Sequence, residues 1–507
     1  MRIRYALAVF VAAILAGCRY DSSCYDLDII CHPWLGLAFY RPLTNPCQYQ
    51  GGTSRSFYTF LGSAGFGDQA RAVCAISDTS ILVGGIASGN IPLLQGVTPL
   101  NAYTGADDFV IVRLDTAGNV YWYTFVGSAG GTDQLTALTQ TLDGGFFAVG
   151  SVTANIASLQ GKTPLNAYSA STDILAIKFD QFGNVVWYTF LGGPGIETPT
   201  SAAVTIDGGL VINGSGDTNI ASLGGQTPLN GYNSLTDVLV MKLSSTGALS
   251  WYTFFGSAGT DAGTAVASAP DGSLLIAGNA SANVATLQGK TPNNAYVGAD
   301  DYMIIKLSAS GAVSWYTFLG GAGTDIPTGV AVMPDLGAAV TGRANAAVAS
   351  MQGVTPGAAY AGNFDHMVVR LTPAGNVSWF NFIGTAAASD QSGSVAVYSD
   401  SSVLVSGFVA ASVPSLQGRS PNNPYTAGDD FLLARYTDTG SLTWYTHLGG
   451  AGNDQALSGL TPTSDGGFIV SGFSAATIAS LQGKTPVNAF AGVSDMVVIK
   501  VKPDGNL

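Results

Sequence analysis

Carboxylates dominate the reactive side chains of this 507-residue chain, and three columns of seven account for 21 of its 32 acidic residues. The first column is Asp68, Asp133, Glu197, Asp261, Asp325, Asp390 and Asp454. The second is Asp78, Asp143, Asp207, Asp271, Asp335, Asp400 and Asp465, and the third is Asp108, Asp173, Asp237, Asp301, Asp365, Asp430 and Asp495. Carboxylates repeated in this way do shared chemistry only where they converge. If the strand opened by the first column is innermost in a ring, its acids circle the mouth of a central channel. Such a crowd of hard oxygen ligands suits Ca²⁺ or another hard cation. The competing role is to accept backbone N–H bonds from the glycine-rich segment before each acid. A reaction centre needs one copy unlike its counterparts, and Glu197 is the single departure within these columns.

Other catalytic constellations fail on residue type or spacing. There are three histidines: His32 near the N-terminus, His366 where other copies carry Phe109, Tyr302 or Phe431, and His447 where they carry Phe60 or Phe318. The last two are expected to be core substitutes for aromatic rings. Gly-Lys-Thr triplets begin at Gly161, Gly289 and Gly483, but the glycine a phosphate loop needs five residues earlier is Ile156, Val284 and Ile478. A proline after each triplet also blocks helix entry. No Gly-x-Ser-x-Gly elbow, His-Glu-x-x-His helix or zinc-type cysteine spacing occurs. No catalytic residue and no cofactor is therefore nominated. Lys or Arg follows each third-column Asp by five positions, at Arg113, Lys178, Lys242, Lys306, Arg370, Arg435 and Lys500. An odd offset puts the two side chains on opposite strand faces. The cation's expected partner is a second-column Asp of its own or a neighbouring repeat.

A repeated strand unit positions these columns. The motif Trp-Tyr-Thr-Phe recurs from Phe57, Trp122, Trp187, Trp251, Trp315, Trp379 and Trp444, which marks one supersecondary unit used seven times. In the copy at 261–319, strands from Asp261 to Ala269 and Leu274 to Asn279 flank the turn Pro270-Asp271-Gly272-Ser273. Strands from Tyr302 to Leu307 and Ser314 to Leu319 complete the unit. Four antiparallel strands form one propeller blade. Runs such as Met303-Ile304-Ile305 are apolar throughout, so both sheet faces are buried, as stacked blades require. The pattern opens on a Tyr-Thr-Phe strand at 58–60 and ends on the turn that precedes that strand in every other copy. Pairing of 57–61 with 496–501 would close a ring. The expected fold is all-β, a seven-bladed β-propeller of four-stranded antiparallel blades over 56–507.

The formal net charge is −13 and no basic run exists, which argues against nucleic acid as a partner. Residues 1–17 read as a signal peptide: Arg2 and Arg4, an apolar stretch from Ala6 to Leu15 too short to span a bilayer, then Leu15-Ala16-Gly17-Cys18. This last tetrapeptide resembles the lipobox of bacterial lipoproteins, which implies lipid attachment at Cys18 and membrane association through that anchor. Arg19 after the cysteine leans towards the outer membrane. Residues 18–55 form the tether. Cys24, Cys31, Cys47 and Cys74 leave one or two disulfides open, with Cys24–Cys31 the most local pair and Cys74 either a buried thiol or bonded to Cys47.

The motif grammar as a whole resembles the bacterial seven-bladed SBBP repeats. Matching residues include Asp465-Gly466-Gly467, Gly472, Asp430-Phe431, Lys306-Leu307 and Tyr316-Thr317-Phe318-Leu319-Gly320-Gly321. The resemblance implies the architecture and no shared catalytic motif. The long segment between second and third strands, typified by 154–168, is longer and more uniform than that family suggests. Placed on one face of a rigid scaffold, seven such loops would form a packed crown or a multivalent ligand surface. The ligand candidates are Lys162, Tyr168, Lys290, Tyr296 and Lys484, and the hairpin face is expected to be inert. The expected role is a monomeric, surface or periplasm-facing lipoprotein that binds or scaffolds a protein or glycan. The alternative is a carbohydrate-active lyase or hydrolase at the channel mouth, for which fold analogy is the only warrant.

Overall fold

The computed structural model describes residues 56–76, 80–386, 388–463 and 465–507, without the side chains of 457 and 458. The signal peptide, Cys18, the tether and Asp78 lie outside the described residues. The rest forms seven four-stranded antiparallel sheets, each ordered from its first strand to its fourth. Blades 1 to 6 span 69–126, 134–191, 197–255, 262–319, 325–383 and 391–448. Blade 7 takes three strands from 454–501 and its fourth from Phe57–Leu61. Register runs from Phe57 opposite Lys500 to Leu61 opposite Met496, so the ring closes as the phase of the repeat requires.

The central strands are apolar on both faces because both faces meet another blade. Phe147, Val149 and Ile174 of blade 2 share a core with Leu210, Leu239 and Tyr252 of blade 3. Tryptophans of the fourth strands stitch blades 2 to 6 to the next blade. The Nε1 of Trp187, Trp251, Trp315 and Trp444 donates to the carbonyls of Ser245 (3.1 Å), Ala309 (3.1 Å), Pro373 (2.9 Å) and Pro503 (3.1 Å), respectively. Glycine at the second hairpin serves both turn and stitch. Gly247 has φ of 85°, and a Cβ there would lie 2.9 Å from Trp187, so only glycine meets both demands.

The long loops leave and rejoin the blades on the face opposite the hairpins, yet they do not crown it. Each runs along the free edge of its own fourth strand. Leu165 N donates to Tyr188 O at 2.9 Å, and Phe190 N donates to Asn166 O at 3.4 Å. Farther along, Gln160 Nε2 reaches Gly183 O of the second hairpin (3.1 Å) while its Oε1 accepts from Val185 N (2.8 Å). Asn293 and Asn294 repeat the edge bonds in blade 4, and Val487 and Asn488 repeat them in blade 7. The decorated face expected from sequence is thus a sheath around the circumference. The physical reason is that an uncovered fourth strand exposes a row of unpaired N–H and C=O groups, and the loop satisfies them.

Candidate functional site

The first strands of all seven blades surround a central cavity of about 230 Å³. The acids that open those strands do not line it. Asp68, Asp133, Glu197, Asp261, Asp325, Asp390 and Asp454 are fully buried at the blade junctions. Asp68 Oδ2 accepts from Ser63 Oγ (2.8 Å), and its Oδ1 accepts from Ser88 N (3.0 Å). Gly193 N donates to Glu197 (2.8 Å), Gly321 N to Asp325 (2.7 Å) and Gly450 N to Asp454 (2.6 Å). A carboxylate ring at the channel mouth is therefore replaced by seven backbone acceptors, each holding the link that enters its blade. Among the described residues, no group of three or more His, Cys, Asp or Glu side chains is arranged to hold a metal.

Each of these acids has a carboxyl neighbour from the third strand of the preceding blade. A Cβ on Gly320 would lie 2.6 Å from both Asp301 Oδ1 and Asp325 Oδ2, so the two oxygens press on one glycine. Asp173 and Glu197 crowd Gly192 in the same way, at 2.4 and 2.7 Å. Burial and the neighbouring charge push Asp325 up to about 7. Glu197 is also raised to about 7, by burial first and then by Asp173 and Asp217. This places the one irregular acid in a structural series.

Both histidines are core residues with no exposed surface. His366 Nε2 lies 3.0 Å from Phe408 O, and burial holds the ring neutral with a pKa down to about 4. His447 packs edge-on against Tyr425 and Tyr445. Most of the described cation column pairs with the turn Asp of its own blade, as Lys242–Asp207 at 2.6 Å, Arg370–Asp335 at 2.7 Å, Arg435–Asp400 at 3.1 Å and Lys500–Asp465 at 2.9 Å, whereas Lys306 donates to Leu336 O of the next blade at 2.9 Å. Cys74 is disulfide-bonded, and the other four cysteines lie outside the described residues.

Of the loop candidates, Tyr168 and Tyr296 are half-buried, standing edge-on to Phe190 and Phe318 at 5.6 Å. Their hydroxyls donate to Ser171 O (2.6 Å) and Ala299 O (2.8 Å) of their own loops. Lys162, Lys290 and Lys484 each close a two-residue turn with reciprocal backbone bonds, as Leu159 and Lys162 do at 3.0 Å. Gln160 and Gly161 in that turn both have positive φ, 48° and 76°, the geometry of a type I′ hairpin. Lys162 and Lys290 are exposed. Because the turn abuts the second hairpin, these lysines stand at the blade's outer edge and are separated from one another by whole blades.

The hairpin face is not uniform. Tyr121, Leu142, Phe182, Val186 and Ile206 are 60, 53, 62, 45 and 40% exposed, all within blades 1 to 3. Where blades 2 and 3 carry Leu142 and Ile206, others carry Ser77, Pro270, Pro334, Ser399 and Ser464; where blade 2 carries Phe182, others carry Ala117, Thr246, Ser310, Ala374, Thr439 and Asp504. Tyr121 and Val186 face counterparts Ser250, Ser314, Ser378 and Thr443. Two contacts bring neighbouring blades together here. Arg113 lies 5.9 Å over the Tyr121 ring and donates to Gln181 O beside Phe182. Leu142 Cδ1 comes within 3.9 Å of where a Cβ on Gly208 would be, next to Ile206. At the adjoining edge Leu100, Leu165 and Leu229 are exposed, whereas blades 4 to 6 place Asn293, Gly357 and Asn422 there.

No family model matches this chain. It is similar to an uncharacterised WD repeat-containing protein of Acanthamoeba polyphaga mimivirus, 23% identical, over 81% of this chain and 35% of the relative. The chain thus spans about a third of the length of the curated relative it matches. Similar solved structures include the WD40 domain of Neurospora crassa Pan2, 9% identical with a TM-score of 0.40, over 89% of this chain and 97% of that one. Sqt1 of Chaetomium thermophilum is 14% identical with a TM-score of 0.36, over 88 and 97% of the two chains. The endosialidase of phage phi92 is 9% identical with a TM-score of 0.39, over 88 and 69%.

Proposed function

We propose that this chain is a non-enzymatic binding propeller of the SBBP-repeat kind, anchored to the outer membrane through Cys18, whose partner is a protein held on the apolar sector of blades 1 to 3. The break in sevenfold symmetry supports this reading. Sequence drift on a solvated hairpin face would scatter, whereas Tyr121, Leu142, Phe182, Val186 and Ile206 gather in adjacent blades. Exposed aromatic and aliphatic side chains concentrated in adjacent blades suit an interaction surface.

The test is a screen of envelope proteins and glycans against residues 56–507, repeated with Tyr121→Ser, Leu142→Ser and Phe182→Thr combined. These are the residue types other blades use, so melting should not change while partner capture is lost. A partner whose affinity responds only to charge reversal at Lys162, Lys290 and Lys484 would move the surface back to the loops. Glycan capture without protein capture would refute the partner class. Cys18→Ala should release the full chain from membranes, and retention would place the anchor elsewhere.

A further inference from the structure

The second hairpins carry a charge asymmetry that falls on the same blades as the apolar one. In blades 1 to 7 they open on Asp115, Asp180, Ser244, Ser308, Thr372, Thr437 and Lys502. Only blades 1 and 2 place an acid there, and these are the blades that expose Tyr121, Phe182 and Val186. The acid and the exposed ring share one turn. Phe182 N donates to Asp180 Oδ1 at 2.8 Å, and Asn119 N, two residues before Tyr121, donates to Asp115 Oδ1 at 2.8 Å. The turn does not need the charge, because Ser244 Oγ and Thr372 Oγ1 accept the matching bonds from Ala248 N and Asn376 N at 3.2 Å.

The charge is not answered from within the described residues either. Asp207 lies 2.6 Å from Lys242, and Asp438 lies 3.3 Å from Arg370. The bonds to Asp115 and Asp180 come instead from neutral donors, backbone N–H groups and the Nδ2 of Asn119 and Asn184, the latter both at 2.8 Å. Partial burial works against both charges, but the bonds from Asn119 and Asn184 outweigh it and hold the carboxyls below their usual range. The column cations of these two blades are turned inward. Arg113 is buried, and Lys178, its side chain 12% exposed, is paired with Asp143. The hairpin face of blades 1 and 2 therefore presents apolar side chains and uncompensated negative charge together.

We propose that the protein segment held on this sector is cationic as well as apolar, with an aromatic or aliphatic side chain flanked by Lys or Arg. This rests on the sector being the binding surface. Apolar side chains alone accept any apolar partner, whereas carboxylates beside them select the sign of what flanks it. The same charge repels an anionic lipid surface.

The experiment is fluorescence anisotropy of labelled peptides with the full chain. Peptides of equal length share a Leu-Phe core and carry Lys, Ser or Glu on both flanks. The Lys peptide should bind about tenfold tighter than the Ser peptide, as two exposed ion pairs supply, and the Glu peptide should bind weakest. That advantage should shrink as NaCl rises from about 0.01 M to about 1 M, where screening is shortened to about 3 Å. Asp115→Ser with Asp180→Ser, the residue blade 3 uses, should remove it without changing the melting temperature. Should this variant melt lower, Asp115→Asn with Asp180→Asn retains the side-chain acceptor and should remove the same advantage. Binding that is lost with Tyr121→Ser and Phe182→Thr but is indifferent to flank charge would overturn the cationic class and leave the sector reading standing. Binding untouched by either pair of changes would overturn both. Tighter binding of the Glu peptide, or no binding of the Lys peptide, would overturn the proposal.

Discussion

The paired acids at the blade junctions make stability depend on pH in a direction opposite to that of most carboxylates. Asp301 and Asp325 are both fully buried, and each leaves Oδ1 without a hydrogen-bond partner while Oδ2 accepts a backbone N–H at 2.7 Å. Burial first penalises the charged form of both groups, and the nearby Asp301 charge adds to the penalty at Asp325, so the folded protein holds the proton more tightly. Asp325 accordingly rises from 3.8 to about 7, and Asp301 to about 6. A raised pKa means the folded state binds the proton more tightly than the unfolded chain does. The associated stability is fully present below the unfolded value and is lost as pH rises through the folded one. At 1.36 kcal/mol per unit, the Asp325 shift of roughly three units corresponds to about 4 kcal/mol, lost between pH 3.8 and about 7.

Asp325→Asn isolates this effect, because an amide keeps the acceptor for Gly321 and cannot ionise. Denaturant unfolding should show the wild type weakening as pH rises from about 5 to about 7. The variant's slope should be shallower by about 1.4 kcal/mol per pH unit, with the variant the more stable protein at the alkaline end. Parallel slopes for the two proteins would refute the raised value at Asp325. A wild type that gains stability over that interval would refute the sign of the argument altogether.

Three further outcomes follow from packing and closure. Gly320→Ala puts a methyl 2.6 Å from Asp301 and Asp325 and should cost about 1–3 kcal/mol in thermal unfolding, whereas Gly231→Ala, with nothing within 4 Å, should be silent. A chain starting at residue 63 loses the closing strand, in which Tyr58, Phe60 and Leu61 have no exposed surface. At about 2 kcal/mol for each side chain, it should melt far below a chain starting at 56, and equal melting temperatures would count against closure. Gln160→Ala removes bonds of 3.1 and 2.8 Å between loop and hairpin. It should cost about 1–3 kcal/mol, while partner capture by the apolar sector stays unchanged.

What could be read from the chain was whatever the period repeats, since seven copies of a column fix its local role. The 35-residue offset from second-column Asp to cation appears directly as pairs such as Asp207 with Lys242 and Asp465 with Lys500. Closure was legible because the missing and surplus strands are complementary. The path of the long loops was not, because strand spacing gives a loop's endpoints and says nothing of the edge between them. A signal did exist in Gln160-Gly161 and its counterparts, whose two positive φ values make a tight hairpin in the middle of the loop. The acid pairs escaped for a related reason: Asp301 and Asp325 lie 24 residues apart on different blades, and only their common contact with Gly320 reveals the coupling. Phe182 was missed although its column is as regular as the acidic ones. Comparing counterparts only among carboxylates singled out Glu197, a buried acid doing what its neighbours do. In a closed repeat the scaffold demands sameness from buried positions, so an irregular buried residue mostly reports packing. Irregularity at a solvent-facing or cavity-facing position has no such demand to answer to. The asymmetric residues worth weighing for function are therefore those on open surfaces, such as the Phe182 sector.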